Sequence, residues 1–335
     1  MIPTATLGRT GAPFTRLGLG TWAIGGPWRF GWGPVDDAES VAAIRRAFDE
    51  GLNWIDTAAV YGLGHGEEIV GRALKGHGAR DEVFVCTKCG RKTRPDGAPY
   101  GDLRPASIRE ECDASLRRLG VDRIDLYQIH WPDQDSGTPL EDSWAALAEL
   151  VDAGKARWIG VSNFNADQLE RCEAIRHVDS LQPPLSLIRR QALTDLIPWA
   201  AAHGTGVIVY SPMASGLLTG AFDRGRLERL PDDDMRLRRP EFTDPWLSNN
   251  LALVERLRAI ADELGSSVAE LAIAWALAQD GVTGAIVGAR RPDQLDGWIG
   301  AAQVELSQDV LRAIDDAIVE TGAGPDEPAT PPPRA

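Results

Sequence analysis

Four residues of unlike type, Asp56, Tyr61, Lys88 and His130, stand where short apolar runs of the 335-residue chain come to an end. Asp56 closes one run with Tyr61 five residues later in DTAAVY, Lys88 closes VFVCTK, and His130 follows the run in YQIHWP. A carboxylate, a phenol, an ammonium and an imidazole are groups that hold and move protons, so general acid–base work is the chemistry they point to. Lysine is the least expected of the four, because the 35 Lys and Arg include only Lys75, Lys88, Lys92 and Lys155 as lysines. In an extended strand alternate side chains share a face, which puts Phe84, Cys86 and Lys88 on the same side. If Phe84 and Cys86 fill an interior, Lys88 enters it too. A charge there is costly unless paired, and Asp56 on the neighbouring strand is the natural partner.

The elements that must position these groups alternate between β and α at a spacing of about 30 residues, the mark of βα units on a parallel sheet. Apolar or β-branched runs predict strands over 17–21, 52–56, 83–88, 124–130, 156–161, 180–182, 206–210 and 284–287. Between the first two, Val41, Ile44, Ala47 and Phe48 recur at helical spacing behind acidic residues and before Gly51. Further helices are expected over 107–119, 140–151, 166–175 and 193–203, and Ser267-x-x-Glu270 reads as a capping box ahead of Val268, Leu271, Ala272 and Trp275. Eight such units predict an α/β fold, the parallel eight-stranded (β/α)8 TIM barrel, with an N-terminal β-hairpin and a C-terminal extra helix. Its active site lies at the C-terminal strand ends, where the four residues fall. A doubly wound open sheet is the alternative, but GLGTWAIGG has no G-x-G-x-x-G opening a helix. Residues 214–250, rich in Arg, Asp and Pro, read as a functional insertion after the seventh barrel strand. One domain is expected over 1–320, with a Pro-rich, disordered tail over 321–335.

Composition narrows the partners. Asp and Glu number 49, and the net charge of -14 leaves no basic footprint for a nucleic acid. No apolar run of about 18 residues or export signal is visible, so no membrane partner is expected, and four scattered cysteines fit the reducing cytoplasm. Cys86-x-x-Cys89 lacks the helix N-terminus of a thioredoxin-type pair and the second pair of a zinc site. A core cysteine and a loop cysteine are expected there, and no metal.

The chain closely resembles the aldo-keto reductase family, whose catalytic tetrad is Asp, Tyr, Lys and His in this order. Further matching motifs are GLGTW from Gly18, EEIVGRAL from Glu67, GVSNF from Gly160, YSPMASGLLTG from Tyr210 and VGARRPDQ from Val287. The resemblance runs from Leu17 to about Ile318 and implies reversible hydride transfer between a nicotinamide cofactor and an aldehyde or ketone. Tyr61 is then the general acid. An O–H donor beside a carbonyl that develops alkoxide charge stabilises the transition state, and a Lys88 cation favours phenolate and brings Tyr61 nearer working pH. Asp56 holds Lys88, and a neutral His130 orients the carbonyl oxygen.

The same resemblance places Ser162, Asn163 and Gln182 on the nicotinamide carboxamide and Tyr210 against its ring. Leu217 and Gly220 fall on a loop over the pyrophosphate, and Gly288 opens a segment that offers backbone N–H groups to a phosphate ahead of the last barrel helix. Arg236, Arg290, Arg291 and Gln294 are candidates for an adenosine 2′-phosphate, which favours NADP(H) while leaving NAD(H) open. Eleven tryptophans against four tyrosines are a second bias. Trp22, Trp28, Phe30, Trp32 and Trp131 would wall a pocket for a small carbonyl with an apolar or sugar-like face, whereas Trp54, Trp144, Trp158, Trp199 and Trp275 fit core positions. Two further functions share this barrel: a cofactor-binding regulatory subunit, and a Schiff-base aldolase using Lys88.

Overall fold

A computed structural model of the chain describes residues 1–28 and 30–324. Twelve strands occur in it: β1 (Thr4–Thr6), β2 (Pro13–Thr15), β3 (Leu17–Gly20), β4 (Trp54–Asp56), β5 (Phe84–Cys89), β6 (Arg91–Thr93), β7 (Pro99–Gly101), β8 (Ile124–Ile129), β9 (Ala156–Ser162), β10 (Ser180–Gln182), β11 (Gly206–Tyr210) and β12 (Val282–Gly288). Eight of them close a barrel in the order β3-β4-β5-β8-β9-β10-β11-β12, with β12 returning to β3, and every neighbouring pair is parallel. These are the eight strands expected from the apolar runs. The connecting helices are α1 (Asp37–Asp49), α2 (His65–Leu74), α3 (Pro105–Leu119), α4 (Leu140–Asp152), α5 (Ala166–Glu173), α6 (Leu196–His203), α7 (Arg224–Glu228), α8 (Trp246–Glu263), α9 (Val268–Leu277) and α10 (Gln308–Thr321).

Local chemistry explains the boundaries. Asp36 caps α1 by accepting from Ala38 N and Glu39 N, and the Ser267/Glu270 capping box opens α9. Asp195 caps α6, so this helix starts at Leu196 rather than at 193, which sits in a separate 3₁₀ turn. The long connection after β11 is built of 3₁₀ turns and α7, and its last residues already belong to α8. Expected disorder over 321–335 fails at its start. Thr321 ends α10, and Gly324 N donates to Asn250 Oδ1 at 2.9 Å; the rest of that segment lies outside the described residues.

The barrel interior is filled from below by aromatic rings. Phe14, from the antiparallel β1–β2 hairpin, stacks on Phe84 with centroids 4.7 Å apart and joins Trp54, Cys86, Leu126, Trp158, Ile208 and Ile286 in one cluster. Phe84 and Cys86 thus occupy the interior, as alternation requires if Lys88 is to enter it from above. Trp144 and Trp275 are buried outside the barrel, but Trp199 is half-buried, stacked on His203 at 4.0 Å and donating to Glu170 Oε1.

Gly18 is set by this packing. A Cβ there would stand 2.1 Å from the Trp54 indole, which is fully buried and pinned by its Nε1–H donating to Thr15 O at 2.8 Å. Overpacking a rigid core in this way costs about 1–3 kcal/mol. Gly18→Ala is therefore expected to lower the chemical-denaturation free energy by about that amount, and wild-type stability in urea would contradict the assignment.

Candidate active site

The expected four residues meet above the aromatic plug. Lys88 Nζ donates to Asp56 Oδ2 at 2.5 Å, to the Thr57 carbonyl at 2.9 Å and to the Tyr61 hydroxyl at 3.3 Å. An ammonium has three protons, and this one has all three placed. Adjacent parallel strands pair Asp56 with Cys86, so Lys88 stands two residues further along β5 on the same face and reaches the carboxylate from there, while β4 gives way to a turn that folds Tyr61, 8% exposed, back over the lysine. His130 follows β8, held by its N–H donating to Cys89 O at 3.1 Å, with its ring edge-on to Tyr61 at 5.7 Å.

Electrostatics follow from burial and from the shared cation. Burial pulls Lys88 down, but the Asp56 carboxylate, the Tyr61 oxygen and their hydrogen bonds outweigh it, and the pKa lies above the ordinary lysine value. Burial, with help from the Lys88 and Arg91 charges, drives His130 well below the usual imidazole range, so the ring is neutral. Tyr61 departs from expectation. Desolvation raises its pKa above 10.0, and Lys88 recovers only part of that rise. The phenol therefore stays protonated at neutral pH instead of moving toward it.

A second ring of polar contacts surrounds the four. Gln182 Nε2 donates to Asp56 Oδ1 at 2.9 Å and to Gln128 Oε1 at 3.4 Å. Ser162 Oγ donates to Gln182 O, Asn163 Nδ2 donates to His130 O and Ser162 Oγ, and Tyr210 OH donates to Asn163 Oδ1 at 2.7 Å. Ser162, Asn163, Gln182 and Tyr210 are thus brought together beside the tetrad, although much of their donor capacity is spent on the protein. Gln182 Oε1 receives no hydrogen bond among the described residues. Behind β5, Thr87 donates to Glu67 Oε1 at 2.6 Å and Arg118 Nε to Glu67 Oε2 at 2.7 Å, a buried brace for the strand that carries Lys88. Glu67 is the first residue of the EEIVGRAL motif, which gives that motif a physical reason.

The arginines are distributed differently from the sequence expectation. Arg236 is buried and forked onto Asp234 at 3.0 and 2.7 Å, and Arg291 is forked onto Asp293 at 3.1 and 3.0 Å. Both guanidiniums are committed to neighbours two residues away in sequence. Gln294 Oε1 accepts from Arg290 N at 2.7 Å and from Arg291 N at 3.3 Å, so those two N–H groups are taken, and Pro292–Gly297 forms a 3₁₀ turn, not an α-helix. Arg290 has no carboxylate partner among the described residues. Its Nη1 donates to the Trp32 carbonyl at 3.3 Å. Gly288 is exposed at the end of β12, Leu217 is buried, and Gly220 takes a left-handed φ of 76°.

Of the aromatic wall, Trp28 stands 6.2 Å from the Tyr61 ring and contacts Phe30, and Trp22 meets Trp32 edge-on at 5.2 Å. The Trp32 ring lies beneath the Arg236 and Arg290 guanidiniums at 5.1 and 5.9 Å. Trp131 is half-buried beside His130. Cys89 corrects the sequence expectation: it is the buried last residue of β5, not a loop residue, and burial pushes both it and Cys86 well above the thiol range. Sequence reasoning missed Thr57, whose backbone carbonyl has no side-chain signature, and Gln128, which alternation from Leu126 could have revealed. It also missed the β6–β7 hairpin, despite Pro95-Asp96-Gly97 at its turn.

The barrel as a whole resembles solved structures, including the glycerol dehydrogenase AKR11B4 from Gluconobacter oxydans, at a TM-score of 0.87 and 39% identity over 98% of this chain and 99% of that one. Aldo-keto reductase YhdN of Bacillus subtilis (strain 168) is 38% identical over 96% of each chain. The NADH-specific methylglyoxal reductase of Escherichia coli (strain K12) is 35% identical over 90% of this chain and 94% of its own. Among the described residues, no helix is long and apolar enough to cross a membrane. The Aldo/keto reductase family model matches residues 16–319, and with the barrel and relatives alike over nearly their full lengths, the chain belongs to that family of oxidoreductases.

Proposed function

We propose that the protein reversibly reduces a small aldehyde or ketone, with Tyr61 as the general acid. One observation carries this reading: Lys88 Nζ donates to the Tyr61 oxygen, so the phenol's own hydrogen is left to point at a substrate. A bound nicotinamide dinucleotide supplies the hydride. As alkoxide charge grows on the substrate oxygen, Tyr61 donates its proton to that atom, and Lys88 stabilises the phenolate left behind. Asp56 fixes the ammonium, and neutral His130 presents an N–H to the same substrate oxygen. The cofactor residues fit such a group. Gln182 Oε1 is an acceptor without a donor, suited to a carboxamide NH₂, next to Ser162 and Asn163, and the half-exposed Tyr210 ring offers a flat apolar face.

Leu217 and Gly220 would cover the pyrophosphate, with Gly288, Arg290 and Gln294 at the adenosine end. Arg290, with no carboxylate partner among the described residues, favours NADP(H) over NAD(H). The NADH-specific relative is a reason to test both. Trp22, Trp28, Phe30 and Trp131 would line the substrate side. Four free, buried cysteines agree with a cytoplasmic setting.

The Schiff-base alternative requires a neutral lysine, and Lys88 is held charged by Asp56. Aldehydes, α-dicarbonyls and keto-sugars incubated with NADPH and then NADH should give cofactor oxidation with at least one substrate, more readily with NADPH. Tight cofactor binding with no turnover across the panel would favour the regulatory-subunit reading, and borohydride trapping of an adduct on Lys88 would favour the aldolase.

A further inference from the structure

Two arginines that the motifs do not single out line one cavity next to Tyr210, and few of their donors are spent among the described residues. Arg189, on the loop after β10, reaches Glu241 Oε1 through Nη2 at 3.4 Å, and Arg239, in the insertion after β11, reaches the same oxygen through Nη1 at 3.5 Å. Arg239 Nη1 also donates to Ser215 Oγ at 3.4 Å. These contacts are long for charge-assisted hydrogen bonds, which close to about 2.7–2.9 Å when well made. The Arg171–Glu141 fork in this protein spans 2.7 and 2.9 Å. One carboxylate cannot neutralise two guanidiniums.

The arrangement has a front and a back. Glu241 lies behind, its side chain 5% exposed, while Arg189 and Arg239 keep 30% and 31% of theirs open. A cavity borders both, lined also by Pro184, Ser186, Ser211 and Ala214. Ser211, Ala214 and Ser215 all hold left-handed φ, at 57°, 47° and 56°, so the backbone after β11 is bent around this cavity at some conformational cost. Tyr210, which donates to Asn163 beside the tetrad, is followed directly by the cavity-lining Ser211 and pairs with the cavity-lining Pro184. The cavity therefore adjoins the catalytic rim.

We propose that Arg189 and Arg239 form a two-guanidinium clamp for the pyrophosphate of the nicotinamide dinucleotide, with buried Glu241 behind both guanidiniums. This rests on the reading that the protein binds such a cofactor. It supplies the positive charge that Leu217 and Gly220, on the neighbouring loop, lack. It also separates two tasks. The clamp serves the diphosphate common to NADP(H) and NAD(H), whereas Arg290 is left to discriminate the 2′-phosphate.

Binding of NADPH, NADH and adenosine 2′-monophosphate to Arg189→Gln and Arg239→Gln, followed by calorimetry or tryptophan quenching, tests the clamp. Losing a charge-assisted bond should weaken NADPH and NADH alike, by about tenfold to a hundredfold, and leave adenosine 2′-monophosphate nearly unchanged. Unaltered affinity for both dinucleotides, or a loss confined to NADPH, would overturn the proposal. Should Arg239→Gln not fold, Arg239→Lys, which keeps the charge and loses the fork, and Arg189→Gln give the same comparison. A wild-type protein that binds neither dinucleotide would overturn the function proposed above, and the clamp with it.

Discussion

Tyr61→Phe is expected to lower carbonyl reduction by about two to four orders of magnitude while NADPH affinity stays near that of the wild type. The substitution removes one oxygen and keeps the ring that packs against Trp28 and His130. It also leaves Lys88 with Asp56 and the Thr57 carbonyl as partners, so the buried pair survives. What is lost is the only phenolic O–H at the centre of the four residues and, with it, the donor to the developing alkoxide. Single-turnover rates with a saturating aldehyde, set beside a cofactor titration, separate chemistry from binding. Unchanged turnover would remove Tyr61 from the acid's role.

The pH profile adds a second reading of the same residue. Burial outweighs Lys88 and raises the Tyr61 pKa, so the acid form persists throughout the neutral range, and His130, pushed well below the imidazole range, stays neutral there. The wild-type rate of the reduction step should therefore be flat from about pH 7 to pH 9, and it should fall only when Tyr61 loses its proton in strong base. A descending limb near neutrality would mean that Lys88 dominates burial after all.

Strands were legible because a parallel barrel needs continuous apolar runs, and the meeting of the four residues because Asp56, Lys88 and His130 fall at the C-terminal ends of such runs, with Tyr61 five residues beyond the first. Alternation also placed Lys88 inward, above Phe84 and Cys86. What could not be read was how polar side chains choose partners once folded. Arg236 and Arg291 are candidate phosphate ligands as sequence, and each also meets an aspartate two residues away that only the turn geometry brings within reach. Arg189 and Arg239 carry no motif, because their shared partner Glu241 is 52 residues from one and two from the other. The balance of burial against charge at Tyr61 was hidden for the same reason: desolvation depends on the whole shell.

Lys88→Met should destabilise the protein by about 3–5 kcal/mol as well as abolish its activity. The lysine side chain is fully buried and its pair with Asp56 is 2.5 Å long, so removing the cation leaves a carboxylate in the barrel with, among the described residues, only Gln182 to answer it. Breaking one side of a buried pair costs more than replacing both. The double variant Lys88→Met/Asp56→Leu should accordingly recover much of the lost stability in urea while remaining inactive, since nothing would then steady a Tyr61 phenolate. The sign of the pH dependence is fixed by the lysine. Its folded pKa is raised, so its contribution is complete below the ordinary lysine value of about 10.4 and is lost as pH climbs through the folded value. The stability gap between wild type and Lys88→Met should be constant from pH 7 to about pH 10 and narrow above it. Equal loss in the single and double variants would mean that Lys88 stabilises the barrel by packing its stem rather than by meeting the charge of Asp56.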